Sequence, residues 1–131
     1  MATTYVTDTH ALLWYLAGSP RLGSAARQVF DEAVSGQATV VVPVIALAEL
    51  AMLMEKGRTS LPLDDVLKIL RETNGFAIEP LLWDTVSRIR EMSSLLDMHD
   101  RLITAEAQVR GVPLITVDQA IVASVLVSVI W

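Results

Sequence analysis

The 131-residue sequence contains no cysteine, only two histidines and no long apolar run. Without thiols the chain forms neither disulfides nor thiolate metal sites, and two histidines argue against a structural zinc site. The apolar segments are far shorter than the ~20 residues of a membrane-spanning helix, so we predict none. The amino terminus lacks a basic start followed by an apolar stretch, so we expect no secretion signal and a cytoplasmic protein. Because thiols are absent and histidines are few, any bound metal must be held mainly by oxygen.

Positive charge is also scarce, with 10 Lys and Arg against 15 Asp and Glu and a net charge of −5. Nucleic-acid-binding surfaces normally need clustered Lys and Arg, so this balance argues against broad electrostatic attraction to nucleic acid. The objection weakens if the negative charge is concentrated in one metal-loaded pocket and basic residues around it contact phosphate. The candidates for such contacts are Lys56, Arg58, Arg101 and Arg110.

Apolar residues make up 53% of the chain. The length suits a single domain over residues 1–131 with one core. Surplus apolar surface in a short chain suggests that a partner or a second copy covers part of it. The alternative is a rich α/β core, because Ala, Leu and Val also dominate buried parallel strands.

Strand-like and helix-like segments alternate along the sequence. Strands are predicted from Tyr5 to Asp8, over 38–43 and 76–80, in PLITVD ending at Asp118, and in the final VASVLVSVIW. Helices are predicted in THALLWYLAG capped by Thr9, in AARQVFDEAVSG capped by Ser24, in VIALAELAMLMEKG, over 63–70, from 82 to about 96, and in HDRLITAEAQVRG. This alternation predicts an α/β fold with a mainly parallel sheet covered on both faces.

Four acidic residues stand where such a fold would bring them together. Asp8 and Asp118 end predicted strands, Asp100 lies in the first turn of a helix, and Glu49 interrupts an apolar helix. Ligands of parallel sheets bind outside the carboxyl ends of the strands. Unpaired burial would be costly for Glu49, so we expect it to face a polar cavity; an ion pair with arginine is the alternative. For the three aspartates the alternative is helix capping.

Convergence of these carboxylates would require a cation. Like charges within a few Å repel one another and raise their pKa values unless a cation neutralises them. Oxygen ligands suit Mg²⁺ or Mn²⁺, which activate water for phosphodiester hydrolysis without a cysteine or serine nucleophile. Asp97, three residues before Asp100, is a candidate to orient it or a ligand water, although solvated acids also lie in first turns of helices.

Several segments together resemble a known family. VTDTHALLWYLAG, VIALAELAMLMEKGR, LDMHDRLITAEAQVRGVPLITVDQAI and the terminal VIW resemble the VapC-like toxins of the PIN-domain family, and the resemblance spans nearly the whole chain. Its most specific part is the DTHALLW segment followed at matching intervals by HDRLITAEA and TVD.

The resemblance implies a three-layer α/β/α sandwich and a Mg²⁺- or Mn²⁺-dependent endoribonuclease that serves as the toxin of a toxin and antitoxin pair. It implies an RNA substrate, homodimers and inhibition by a small antitoxin. The family's acidic positions fall on Asp8, Glu49, Asp100 and Asp118, with Thr116 as a hydroxyl near the metal. Ala46 stands where many relatives carry serine, and MHD where a proline and an aromatic often precede the aspartate, which puts the hydrogen bonds around the ligands in doubt.

Two other functional interpretations remain open. A PIN-like scaffold could have lost catalysis and serve only as a binding module, although the retained acids argue against it. A signalling receiver domain also gathers acids around magnesium, but it needs a late lysine and the last one here is Lys68. The absence of GxGxxG and GxxxxGK stretches disfavours nucleotide-binding enzymes.

Other polar and aromatic residues have a structural explanation beside a functional one. For His10 and His99 we favour ordinary hydrogen bonding over a role with substrate phosphate. Arg101 could clamp phosphate or form a surface salt bridge. For the tryptophans we favour packing over base stacking; they are Trp14, Trp83 and Trp131.

Overall fold

The computed structural model describes residues 2–131 and contains one parallel sheet in the order β3-β2-β1-β4-β5. The strands are β1 Thr3–Thr7, β2 Ala38–Pro43, β3 Phe76–Glu79, β4 Leu114–Ile115 and β5 Val129–Ile130. Every neighbouring pair runs parallel. The predicted fold class, α/β with a mainly parallel sheet, is confirmed.

Seven α-helices connect and cover the strands within residues 2–131. They are α1 Thr9–Leu16, α2 Ser24–Val34, α3 Val44–Glu55, α4 Leu63–Glu72, α5 Trp83–Arg88, α6 Met98–Arg110 and α7 Gln119–Ser124, with a 3-10 turn over Ile89–Glu91. In this described part of the chain, no helix has both the length and the apolar character needed to span a membrane.

Two apolar clusters hold the layers together, because successive side chains of a strand point to opposite faces. Val40 and Val42 of β2 belong to the cluster that contains Phe30 of α2, while Val41 belongs to the cluster that contains Ile103 of α6. Helices α1, α2 and α4 contribute to the first cluster and α6 and α7 to the second. Both faces of the sheet are therefore buried, which explains the continuous apolar run of β2.

The long helix predicted from 82 to about 96 is wrong. The helix ends at Arg88 and a 3-10 turn carries the chain only to Glu91. The Arg101 guanidinium donates hydrogen bonds to the backbone carbonyls of Ile89, at 3.1 Å, and of Leu95. A carbonyl turned toward Arg101 is poorly placed to accept a regular helical hydrogen bond, so tertiary contacts override the helical spacing of the apolar residues.

The carboxyl-terminal prediction also needs correction. The strand predicted in VASVLVSVIW is limited to Val129–Ile130, and the strand predicted to run to Asp118 ends at Ile115. Helix α7, which was not predicted, follows Asp118 directly. A short apolar, β-branched sequence does not distinguish a buried helix from a strand.

Two predicted helix caps are displaced by one residue. Asp8, rather than Thr9, caps α1, and its carboxylate accepts a hydrogen bond from the Ala11 backbone N–H. Ser24 is the first residue of α2 rather than its N-cap, which is Gly23 and provides no side-chain bond. The first change matters because it frees the Thr9 hydroxyl for another partner.

Strand β1 lies at the centre of the sheet, with β2 on one side and β4 on the other. The chain therefore builds outward from β1 through β2 and β3, and then crosses to the opposite side for β4. At such a reversal, adjacent connections leave in opposite directions and open a crevice beyond the strand ends. Asp8 follows β1 and Asp118 lies shortly after β4, so both are at this crevice.

Candidate active site

One cavity of about 430 Å³ opens at the carboxyl ends of β1 and β4. The four acids singled out from the sequence all line it: Asp8, Glu49, Asp100 and Asp118. The remaining lining residues are Thr9, His10, Trp14, Asp97, Ile103 and Val117. A larger, more open depression of about 620 Å³ lies along α2 and the adjacent loops rather than at the strand ends. The chemistry of the lining, rather than its volume, identifies the candidate site.

Asp8 is held where β1 passes into α1. One carboxylate oxygen, Oδ1, accepts a hydrogen bond of 2.8 Å from the Ala11 backbone N–H. Burial raises the pKa of Asp8, and Asp118 raises it further, whereas hydrogen bonds from Thr116 and Ala11 lower it. Desolvation is the largest of these effects, so burial makes the ionised form of this carboxylate less favourable than it is in water.

Asp118 repeats this arrangement after β4. Its Oδ1 accepts a hydrogen bond of 3.0 Å from the Ile121 backbone N–H and so caps α7. Its own backbone N–H donates to the Thr116 hydroxyl at 3.1 Å. Thr116 is fully buried, and its side chain lowers the pKa of Asp8 by hydrogen bonding. This threonine therefore lies beside both strand-end aspartates.

Glu49 reaches the cavity from the middle of α3. Its Oε1 accepts a hydrogen bond of 2.7 Å from the Thr9 hydroxyl, and its Oε2 lies 3.7 Å from His99 Nδ1. The side chain is 27% exposed. Within residues 2–131 no arginine forms an ion pair with it. Glu49 thus faces a polar cavity, as expected from its position in an apolar helix.

Asp97 and Asp100 enter the cavity from the start of α6. Asp97 is the N-cap, and its carboxylate accepts a hydrogen bond of 3.0 Å from the Asp100 backbone N–H. The pKa of Asp100 is raised to about 6, first by burial and then by the charges of the neighbouring acids, with Asp118 first among them. Mutual repulsion in the cavity therefore acts most clearly on Asp100, whose negative charge each of the other acids opposes.

The chemistry of these donors fits a hard divalent cation. Carboxylates that share a cavity repel one another and are stabilised by a positive ion, and Mg²⁺ and Mn²⁺ prefer oxygen ligands. In the described part of the chain, no three His, Asp or Glu side chains are already grouped closely enough to hold an ion. The carboxylates therefore share one cavity without being gathered around a single point.

The basic residues considered for phosphate contacts lie outside this lining. Arg101 uses its guanidinium to hold the carbonyls of Ile89 and Leu95, so it positions the segment before α6. Arg110 forms an ion pair with the buried Glu106, with 3.7 Å between Arg110 Nε and Glu106 Oε2. Lys56 and Arg58 follow the end of α3 and are exposed.

Three cavity residues were missed or assigned to other roles by the sequence analysis. Thr9 was expected to cap α1 but bonds to Glu49. His10 and Trp14, expected in ordinary hydrogen bonding and packing, both line the cavity. Their spacing of four residues places them on one face of α1, directly after the capping aspartate. That spacing is the signal from which their position could have been found.

Comparison with known proteins gives one family match and no match among curated sequences. A family model described as PIN domain matches residues 5–123. Among curated protein sequences, none matches the chain significantly.

Solved structures share the fold. A chain of VapBC2 from Rickettsia felis, bound to a DNA fragment from its promoter, is 15% identical with a TM-score of 0.73, and the match covers 97% of each chain. VapC20 from Mycobacterium tuberculosis, a toxin that cleaves the sarcin-ricin loop, is 18% identical with a TM-score of 0.68, covering 98% of this chain and 100% of that one. A chain of FitAcB from Neisseria gonorrhoeae is 16% identical with a TM-score of 0.63, covering 95% of each.

Proposed function

The chain belongs to the PIN-domain family, and from that premise we propose that it is a divalent-metal-dependent endoribonuclease and the toxin of a toxin–antitoxin pair. The observation that carries the proposal is the shared cavity of Asp8, Glu49, Asp100 and Asp118 at the carboxyl ends of the central strands. Membership of this family sets aside the receiver-domain alternative. We further propose that residues 1–131 are a single PIN-like domain, of which Met1 lies outside the described residues.

In this proposal the four carboxylates would hold Mg²⁺ or Mn²⁺, which when bound supplies an activated water and charge stabilisation for phosphodiester hydrolysis. The chain itself contributes rigid ligands. Asp8 and Asp118 are each fixed by a helix-capping bond, and the Thr116 hydroxyl accepts a hydrogen bond from the Asp118 backbone N–H. The Thr9 hydroxyl fixes the Glu49 carboxylate by donating a hydrogen bond to it. Hydrogen bonds of this kind orient the carboxylates before substrate binds, which lowers the cost of reaching the reactive geometry.

The proposed partners are an RNA substrate, a small antitoxin and a second copy of the chain. VapBC2 and FitAcB support an antitoxin partner by likeness of fold. The chain also carries large apolar side chains that are strongly exposed, including Trp83 at 81%, Val125 at 87% and Leu96 at 91%. Exposed apolar surface of this kind is typical of protein interfaces.

Cleavage of structured RNA by the purified full chain tests the proposal. We expect cutting with added Mg²⁺ or Mn²⁺, none in excess chelator, and none by Asp8→Asn. The matched control is Asp64→Asn, which removes an exposed acid from the first turn of α4 and should leave cleavage unchanged. Equal cutting in excess chelator would refute the mechanism. Titration calorimetry that shows tight Mn²⁺ binding without any cleavage would instead support a catalytically degenerate binding module.

A further inference from the structure

An aromatic wall borders the acidic cavity on the side of α1. His10 and Trp14 line the cavity, and their ring centroids are 5.6 Å apart with the planes tilted by 54°. The same cavity is lined by the four carboxylates that would hold the metal ion in the proposed nuclease, so the cleaved phosphodiester would lie in it. The wall therefore lies where a nucleotide next to the cleaved bond would pass.

The Trp14 ring is held firmly in this position. Trp131 packs against it edge-on, with the ring centroids 5.7 Å apart. A Cβ atom added at Gly23 would lie 2.6 Å from Trp131 Cδ1, so glycine allows Trp131 to come this close. Trp14 also packs against the apolar cluster around Phe30. A ring fixed before binding loses little conformational freedom when it contacts a ligand.

A cation lies beside the same ring. The Arg21 guanidinium carbon is 5.8 Å from the Trp14 ring centroid, within the range of a cation–π contact. Arg21 is exposed and forms no ion pair with any acid within residues 2–131. Its charge is thus open to a phosphate, in a region where the adjacent cavity is acidic.

We propose that the aromatic wall of His10 and Trp14, together with Arg21, is a subsite for one unpaired base of single-stranded RNA and its phosphate. The base stacks on the Trp14 ring beside His10, and the phosphate pairs with Arg21. Aromatic rings beside a cationic side chain are the combination that binds single strands, since every base offers a π face. This inference rests on the proposed nuclease function and adds to it a requirement for an unpaired base next to the cleaved bond.

Binding of short unstructured RNA oligonucleotides in Mg²⁺ tests the subsite. The Asp100→Asn background prevents cleavage, and each oligonucleotide is compared with versions that carry one abasic position. In the Trp14-containing protein, we expect one abasic position to weaken binding roughly 5- to 150-fold, the range for one stacked base. Adding Trp14→Leu should abolish the penalty at that position, whereas Trp14→Phe should retain most of it.

Two further variants keep the test independent of folding. Arg71→Gln is the control for the change at Arg21, because Arg71 is an exposed arginine in the last turn of α4 and does not line the cavity; its affinities should not change. Arg21→Gln should weaken binding and reduce the slope of log affinity against log salt by about 0.7, as expected for one lost phosphate contact on a single strand. It provides the result even if Trp14→Leu fails to fold.

The outcomes separate this inference from the proposed function. An abasic penalty that is the same before and after the Trp14→Leu substitution, or an unchanged salt slope in Arg21→Gln, would overturn the subsite while wild-type cleavage still supports the nuclease. A penalty that depends on Trp14 in a protein whose wild type never cleaves RNA would support the subsite and refute the nuclease.

Discussion

Replacing Asp100 with asparagine should stabilise the metal-free protein at pH 7.5 although it removes a proposed ligand. The pKa of Asp100 is raised from 3.8 to about 6, first by burial and then by the charges of neighbouring acids. The folded state therefore binds this proton more tightly than the unfolded state. Its contribution to stability is fully present below pH 3.8 and is lost as the pH rises through about 6.

The magnitude follows from this difference in pKa. A shift from 3.8 to about 6 corresponds to at most about 3 kcal/mol at full effect. Solvent screening of a partly exposed group reduces this to about 1 to 2 kcal/mol. Asparagine also loses a favourable charge in the first turn of α6, which offsets part of the gain. The net expectation is about 1 kcal/mol at pH 7.5, or a rise in Tm of about 3 to 5 °C.

Thermal and urea unfolding in excess chelator at pH 7.5 and pH 4 measure this effect. At pH 4 the native Asp100 is protonated and only the unfolded state is partly ionised, so the variant and the wild type should differ much less than at pH 7.5. The control is Asp65→Asn, because Asp65 occupies the same position in α4 but is exposed. It should lose about 0.3–1 kcal/mol at pH 7.5, the cost of removing a charge from a helix amino terminus.

Saturating Mg²⁺ should reverse the order of the two proteins, since an ion bound at about 100 times its Kd adds about 2.7 kcal/mol to the wild type. The variant, lacking one proposed ligand, should gain less. The reasoning would be refuted if Asp100→Asn destabilised the metal-free protein equally at both pH values.

Two further changes test the scaffold. Arg101→Ala should lower the free energy of unfolding by about 1 to 3 kcal/mol. It removes the side-chain donor of the Leu95 carbonyl and one of two donors to the Ile89 carbonyl, which keeps the Met92 backbone N–H. Urea unfolding measures the loss, and a loss below the error of the method would contradict this. Gly75→Ala should lower the free energy of unfolding by more than about 3 kcal/mol, because the new Cβ would lie 1.8 Å from the Ala33 carbonyl oxygen. If urea unfolding showed the same stability as the wild type, the backbone at this position would adjust freely and the prediction would be wrong.

The alternation of strands and helices and the parallel sheet were predictable from the sequence, because the spacing of apolar residues differs between strands and helices. The bounds predicted for β2 agree with the observed Ala38–Pro43. The segment after Arg88 was not predictable in this way, because its conformation depends on hydrogen bonds from the distant Arg101. The spacing of apolar residues within a segment carries no information about a hydrogen-bond donor from another helix.

The grouping of acids was predictable for a similar reason. The carboxyl ends of parallel strands share one edge, so Asp8 and Asp118 were expected at the same edge; the adjacency of β1 and β4 brings them close. The aromatic wall was not predictable from composition, because a tryptophan that packs on the core and a tryptophan that lines a cavity look alike in sequence. Trp14 does both.

The central place of β1 has a consequence during synthesis on the ribosome. Asp8 emerges early, but β4 can occupy its place beside β1 only after most of the polypeptide has been translated. A product that stops short of β4 has Asp8 and Glu49 but lacks Asp118 and the strand that brings it close. For the proposed nuclease, such an incomplete translation product would lack part of the metal site and so could not cleave the RNA of the cell that is making it.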